Sequence, residues 1–310
     1  MRMKRAEAAG MALGAVADGV FADPRRGHPV AGFGTAVSRV EQAVYADDRR
    51  VGAVFAAGAI AAAAAAGAAM RRAGAAGTAA AAFTALGGTS LCRIGDQIAD
   101  ALEAGDIDGA RTLVAGLVGR DPDLLDESGI CRAAVESIAE NTSDAAVGPL
   151  VFGAAAGATG MLAYRAINTL DAMIGYRSER YRNFGWAAAR TDDLANLVPA
   201  RLTALLAAGV SGRPRAVWTA VRRDAHRHPS PNAGVVEAAF AGALDIELGG
   251  RTVYAHGVEE RPRLGDGRAP TVADLRGAVE LSRRIQVAAA TFAVLTRYRA
   301  ASTGRRRYFP

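Results

Sequence analysis

VGAVFAAGAIAAAAAAGAAM, residues 51–70, is followed after Arg71-Arg72 by GAAGTAAAAFTALGGTSL, residues 74–91. Neither stretch carries a charged side chain, and each approaches the ~20 apolar residues that a helix needs to cross a bilayer. The two are read as the arms of a helical hairpin. Three further runs repeat the pattern. Residues 145–164, AAVGPLVFGAAAGATGMLAY, are uncharged, residues 194–211 are interrupted by Pro199 and Arg201, and residues 285–295 form a shorter candidate. Alanine adds little to insertion, which Leu, Ile, Phe and Val drive, but small residues let membrane helices approach closely. The alternative is a soluble alanine-rich bundle, in which charge-free runs of this length are hard to place. The expected fold is therefore all-α: a polytopic helical membrane protein with roughly 4–5 spans and water-facing helical segments between them.

A single domain over residues 1–310 accommodates the rest. Residues 92–144 are polar and amphipathic, with Ala110, Leu113, Val114, Leu117 and Val118 recurring at helical spacing after an Asp106 cap. Residues 145–211 alternate apolar runs with a polar connection. Residues 212–284 form a second polar segment, with no convincing strand alternation. Residues 285–310 supply a last helix and a basic tail. The N-terminal apolar stretch is broken by Asp18 and lacks a small-residue exit, so it reads as a retained helix. Arginine flanks nearly every run, so positive charge does not fix the orientation.

Composition removes several mechanisms. The chain has 310 residues, 51% of them hydrophobic, a mean hydropathy of +0.10 and a formal charge of +6. The basic excess is almost all arginine, and Lys4 is the only lysine. There is no GxxxxGK[ST] loop and no GxSxG elbow. Cys92 and Cys131 form no CxxC pair, and the four histidines form no metal set. No aromatic-interleaved basic stripe points to nucleic acid.

Polar clusters gather where the apolar runs begin. In ESIAENTSDAAVGPL, residues 136–150, Glu136, Glu140 and Asp144 recur every fourth residue and share a helical face. Like charges at that spacing repel. Either Mg²⁺ relieves the repulsion, or the stretch is a solvated cap built on Thr142 or Ser143. In YRAINTLDAMIGYRSERYRNFGW, Tyr164, Asn168, Asp171 and Gly175 stack on one face, flanked by Arg165, Arg177, Arg180 and Arg182. A snorkelling Tyr/Arg belt accounts for the arginines but not for Asn168 and Asp171. In RTDDLANLVPARLT, Asp192, Asp193 and Asn196 form a DDxxN group suited to Mg²⁺-phosphate, with Pro199 bending the helix behind it. In RRDAHRHPSPNAGVVEAAFAGAL, Ser230-Pro231 reads as a cap and first helical residue, approached by Arg222, Arg223, His226, Arg227 and His228. A helix start with guanidinium groups makes a phosphate or carboxylate clamp; a capped surface helix is the plainer reading. DPRRGHPVAGFG offers a smaller group, Asp23, Arg25, Arg26 and His28, and LGDGR at 264–268 is a loop that could close over a ligand.

Taken in order, DPRRGHPVAGFG, ESIAENTSDAAVGPL, YRAINTLDAMIGYRSERY, DDLANLVPARLTALL, HPSPNAGVVEAAFAGAL and LGDGR resemble the successive motif blocks of the CobD/CbiB family. These are the membrane proteins of cobalamin biosynthesis termed adenosylcobinamide-phosphate synthases. The resemblance spans residues 23 to 268 and departs from the family only in its alanine-rich runs. It implies an ATP- and Mg²⁺-dependent amide ligation joining the free propionate of adenosylcobyric acid to (R)-1-amino-2-propanol or its O-phosphate. The expected metal ligands are Glu140, Asp144, Asp192, Asp193 and Asn196. The expected catalytic groups are Glu140, Asp171, His226 and His228, with either histidine as the base for the amine. Arg25, Arg26, His28, Asn141, Asn168, Arg222, Arg223, Ser230 and Asn232 are expected to bind substrate or phosphate. The implied partners are the corrinoid, the aminopropanol or its phosphate, ATP and membrane lipid, with no nucleic acid. Association with other late cobalamin-pathway membrane enzymes also follows from the resemblance. Two other functions share parts of this pattern: a Mg²⁺-dependent membrane prenyl- or alkyl-transferase, and a corrinoid-binding or transport component that consumes no ATP.

Overall fold

The structure is a computed structural model. It describes residues 2–24, 27–118, 123–176, 178–254 and 257–302, the side chains of 251–259 and of 302 excepted. Arg25, Arg26, Pro122, Arg177 and His256 lie outside the described residues.

Fifteen α-helices and one hairpin make up the described residues. In chain order the helices are α1 (Arg2–Phe21), α2 (Pro29–Val44), α3 (Arg49–Met70), α4 (Gly74–Ala85), α5 (Gly88–Glu103), α6 (Ile107–Ala115), α7 (Glu127–Thr142), α8 (Gly148–Ala156), α9 (Ala158–Leu170), α10 (Tyr181–Phe184), α11 (Trp186–Ala195), α12 (Leu197–Val210), α13 (Pro214–Asp224), α14 (Ala233–Leu244) and α15 (Val272–Ser302). The chain divides into two compact units. The first holds residues 1–87, 144–198 and 289–310, and the second holds residues 88–143 and 199–288.

The fold is helical, as expected, but two apolar runs are partitioned differently. The uncharged run 145–164 is not one span. Gly157 adopts φ +65° and folds α8 back on α9, so two helices of 9 and 13 residues replace one of spanning length. The second arm of the 51–91 hairpin is likewise shortened. The chain turns at Arg71–Ala73, and α4 ends at Ala85 before an extended Leu86. Two stretches, within Arg49–Glu103 and Trp186–Val210, are long and apolar enough to cross a membrane. The bend expected near Pro199 falls at Asn196, where α11 gives way to α12. This places Pro199 in the first turn of α12, where its missing N–H costs nothing.

In the first unit, small residues set the helix spacing. Gly10 and Gly14 of α1 lie against α4 so closely that a Cβ on Gly10 would stand 2.5 Å from Ala75 O, and one on Gly14 2.4 Å from Ala82 Cβ. This is small-xxx-small packing, in which glycines let two helix backbones approach closely. Gly67 of α3 meets Ala158 of α9 in the same way. An aromatic core of Phe55, Phe184 and Tyr45, with Val37, Leu170 and Ile174, fixes α2, α3 and α10. At one edge of the unit, Arg297 donates to the Ala155 carbonyl at 2.9 Å and to buried Glu7 at 2.6 Å.

In the second unit, α7 and α14 are buried on nearly every face. The strandless reading of residues 212–284 is corrected here. Leu248–Tyr254 (β1) and Gly257–Leu264 (β2) form an antiparallel hairpin. Its register slips between Leu248 and Gly250, a bulge that erases the period-two pattern on which strand recognition depends. Gly249 in that bulge takes φ +79°, and any Cβ there would lie 2.1 Å from Pro262 O, so only glycine fits.

Candidate functional site

Residues from four of the six motif blocks meet in the first unit, on helices interrupted at the site. Ser143–Val147 and Asp171–Gly175 are π-turns, so Asp144 and Asp171 each sit on a local widening of the helix. Such turns break the i→i−4 ladder and recur at functional sites. The first of them also interrupts the even four-residue spacing between Glu140, on α7, and Asp144, inside the turn.

Asp192 is the best-defined carboxylate of this group. The buried Tyr164 hydroxyl donates to Asn196 Oδ1 at 2.6 Å, and Asn196 Nδ2 donates to Asp192 Oδ2 at 2.9 Å. That chain fixes the carboxylate plane. Asp192 Oδ1, shielded from solvent, receives no hydrogen bond. Gly148 makes the arrangement feasible: a Cβ at that position would lie 2.1 Å from the Tyr164 ring. Asn196 uses both ends of its amide in this chain and so orients Asp192. Asn168 donates to Asp144 Oδ2 at 3.3 Å and also lies close to Asp192. Asp193 is paired with Arg190 at 3.3 Å and stands within electrostatic reach of Asp171. Burial, reinforced by Asp193, pushes the Asp171 carboxyl up to about 6. His28 caps α2, its Nδ1 accepting from Val30 N at 3.2 Å, and its Nε2 stands 3.1 Å from Asp23 Oδ1.

The remaining candidates fall in the second unit. Glu140 is exposed on α7, and half-buried Asn141 donates to Ser137 O at 3.0 Å. Arg222 and His226 are exposed. Arg223 is held by buried Asp224 at 2.8 Å and by Asp266 at 2.6 Å, while Gly265 N donates to Asp224 at 2.9 Å. The LGDGR loop is thereby tied to the end of α13. Ser230 Oγ accepts from Ala233 N at 3.1 Å, so it caps a helix that begins at Ala233 rather than at Pro231. Asn232 Oδ1 accepts from Arg201 at 2.6 Å.

Sequence reasoning missed the polar centre of this unit. Arg261 on β2 donates from Nη1 to Glu136 Oε2 at 2.9 Å, and from Nη2 to His228 Nε2 at 2.8 Å and Glu237 Oε1 at 3.2 Å. Gly249 N, aimed by the bulge, donates to Glu136 Oε1 at 2.8 Å. Burial, with Glu136 alongside, raises the Glu237 carboxyl above its ordinary range. A lone acid in the apolar run AGVVEAAFAGAL signals that Glu237 needs a partner; nothing in GVEERPRL singles out Arg261.

The same cluster fixes the state of His228. A guanidinium only donates, so Nε2 accepts from Arg261, while Nδ1 faces the Ser230 backbone, 3.1 Å from its N and 3.4 Å from its O. Burial and then Arg261 hold the ring below its ordinary pKa. Below about pH 6.5 the unfolded chain therefore takes up a proton that the folded chain refuses, and stability falls as pH falls. His228→Gln keeps an acceptor for Arg261 but cannot titrate. Denaturation followed from about pH 7.5 down to about 5.5 should show a shallower loss in the variant. Identical slopes in the two proteins would contradict this assignment.

Among the described residues, no three His, Cys, Asp or Glu side chains converge as a ready-made metal cage. Mg²⁺ asks for less, namely one or two protein carboxylates with substrate phosphates and water. The open Asp192 Oδ1 beside other carboxylates fits that requirement.

Broken helices, two apolar stretches of bilayer length and an acid–amide site together define a helical protein with a chemically equipped first unit. The chain belongs to the CobD/Cbib protein family, whose model matches residues 11–282. It is 56% identical over 301 residues to the "Cobalamin biosynthesis protein CobD" of Mycobacterium tuberculosis (strain ATCC 25618 / H37Rv), covering 94% of this chain and 96% of that one. It is 44% identical to the protein of the same name from Geobacter metallireducens, over 89% and 92% of the two chains. The Chromobacterium violaceum counterpart is 41% identical, over 86% and 89%. No solved structure matches.

Proposed function

We propose that the protein is a multi-pass cell-membrane ligase of cobalamin biosynthesis. It couples the free propionate of adenosylcobyric acid to (R)-1-amino-2-propanol or its O-phosphate at the expense of ATP. The observation that carries this reading is the Asp192 carboxylate, oriented through Asn196 and Tyr164 and left with one buried, open oxygen.

A propionate oxygen attacks the γ-phosphorus of ATP, ADP leaves, and an acyl phosphate forms. The neutral amine nitrogen then attacks the acyl carbon, inorganic phosphate leaves, and the nitrogen gives up a proton. Mg²⁺, when bound, neutralises charge on the transferring phosphoryl group. Asp192 would hold it, with Asp144 and Asp193 as the neighbouring acids. Asp171, pushed up to about 6, is poised to accept the amine proton near neutral pH. His228 is a poor base, because its Nε2 lone pair already takes a hydrogen bond from Arg261.

Residence in the membrane is supported by apolar faces turned outward. In the most apolar window of Arg49–Glu103 only 22% of residues are buried. On α1, Leu13, Val16 and Val20 line one face at 57%, 64% and 60% exposure. Val287, Phe292 and Leu295 of α15 are exposed as well. Such faces fit lipid better than water.

The test is to incubate membranes holding the protein with adenosylcobyric acid, each amine, ATP and Mg²⁺, and to weigh the corrinoid product. A mass gain corresponding to one amide, dependent on ATP, is expected. Corrinoid bound but unaltered, with no ATP consumed, would instead select a carrier.

A further inference from the structure

We infer that Arg165 is the phosphate contact of the first unit's site, taking an oxygen of the polyphosphate of a Mg²⁺-bound nucleoside triphosphate. This rests on the reading of that site given above and adds the residue that holds the polyphosphate.

Arg165 stands on α9 next to Tyr164, whose hydroxyl begins the chain that orients Asp192. Its Nε is buried and, among the described residues, has no hydrogen-bond partner. Asp23 and Asp144, from two different motif blocks, lie within electrostatic reach of its guanidinium. Neither draws the Nε into a hydrogen bond, while His28 stands 3.1 Å from Asp23 and Asn168 donates to Asp144 at 3.3 Å. A buried donor without an acceptor carries a desolvation penalty that a ligand can remove.

The surroundings narrow the ligand. Asp23, Asp144, Asp171, Asp192 and Asp193 make this end of the unit acidic, so a bare anion is repelled. A polyphosphate that arrives with a divalent cation meets both needs. The cation sits on the acidic side, at the open oxygen of Asp192, and a phosphate oxygen accepts from Arg165. A guanidinium presents Nε and Nη as a fork that matches two phosphate oxygens; an ammonium cannot do so. In a chain whose sole lysine is Lys4, such an arginine takes the place of a phosphate-gripping lysine. Snorkelling to the lipid surface, the ordinary use of an arginine beside an apolar run, would leave Nε in water rather than buried.

The experiment uses the full chain in nanodiscs and titrates Mg²⁺ with a non-hydrolysable ATP analogue by calorimetry. Adenosylcobyric acid and aminopropanol phosphate are titrated separately. Arg165→Gln should weaken nucleotide binding by at least about tenfold, the usual worth of a charged hydrogen bond. Corrinoid binding should be unchanged. Arg165→Lys, which keeps the charge but loses the fork, should fall between, and it decides the matter if the glutamine variant does not fold. Unaltered nucleotide affinity in a folded variant overturns the inference. So does selective loss of corrinoid or aminopropanol phosphate binding, which would reassign Arg165 to that anion. Wild-type protein that binds no Mg²⁺-nucleotide would overturn the proposed function itself, a result distinct from equal binding by wild type and variant.

Discussion

Arg261→Ala is expected to lower the unfolding midpoint by roughly 10 °C, from about 3–5 kcal/mol of lost stability. The reason is local. Glu136 and Glu237 are 3% and 1% exposed, and Arg261 is the guanidinium that reaches both. Truncation would leave two carboxylates and the His228 Nε2 acceptor facing one another in a buried space. Proton uptake by Glu237, already favoured by burial, would absorb part of the cost. Adding Glu237→Gln to Arg261→Ala should therefore recover some stability, because one of the two charges is gone. Circular dichroism melts of the purified variants would show both effects. A midpoint within about 1 °C of wild type for Arg261→Ala would mean that the cluster is open to water and structurally idle.

That prediction comes from a residue the sequence hides, and the pattern is general for this chain. Helical spacing, caps and apolar runs are local signals, and they survive. Asp106 caps α6 through Gly109 N, and the arms of 51–91 are helices. The acid–amide blocks are also legible, since an acid at the edge of an apolar run is costly without a purpose. Features set by backbone irregularity are not legible. A π-turn shifts the phase of everything after it, so the stripe breaks after Glu140: Glu136 and Glu140, on α7 ahead of the turn, both stand within electrostatic reach of Glu237, while Asp144, inside the turn, accepts from Asn168. A bulge at Gly249 conceals a strand pair by the same logic, because one extra residue flips the alternation. Gly157 ends a helix inside a run whose hydropathy reads as unbroken. Long-range pairings such as Tyr164 with Asn196 leave no trace in spacing at all.

The other large effect concerns the site that spacing did reveal. Asp192→Asn is expected to reduce cobinamide formation by at least about a hundredfold, the usual cost of losing a key charged group at a reacting centre. Protein level in the membrane should be unchanged. The substitution preserves shape, and Asn196 can still find a partner in the new amide, so the fold has little reason to suffer. What is lost is the negative charge on the open oxygen. Tyr164→Phe provides the contrast, since it removes the first link and leaves the carboxylate in place but free to swing. Its expected loss is nearer tenfold, as for other residues that orient a ligand, and raised Mg²⁺ should restore part of it, whereas no Mg²⁺ concentration should restore Asp192→Asn. Asp193→Asn supplies the third point of comparison. Its carboxylate is partly exposed and already paired with Arg190, so its removal should change turnover by less than about threefold. The ordering Asp192, Tyr164, Asp193 is thus fixed by burial and hydrogen bonding alone. Equal, small effects at all three positions would reduce the group to a solvated helix end, with the chemistry carried by other residues.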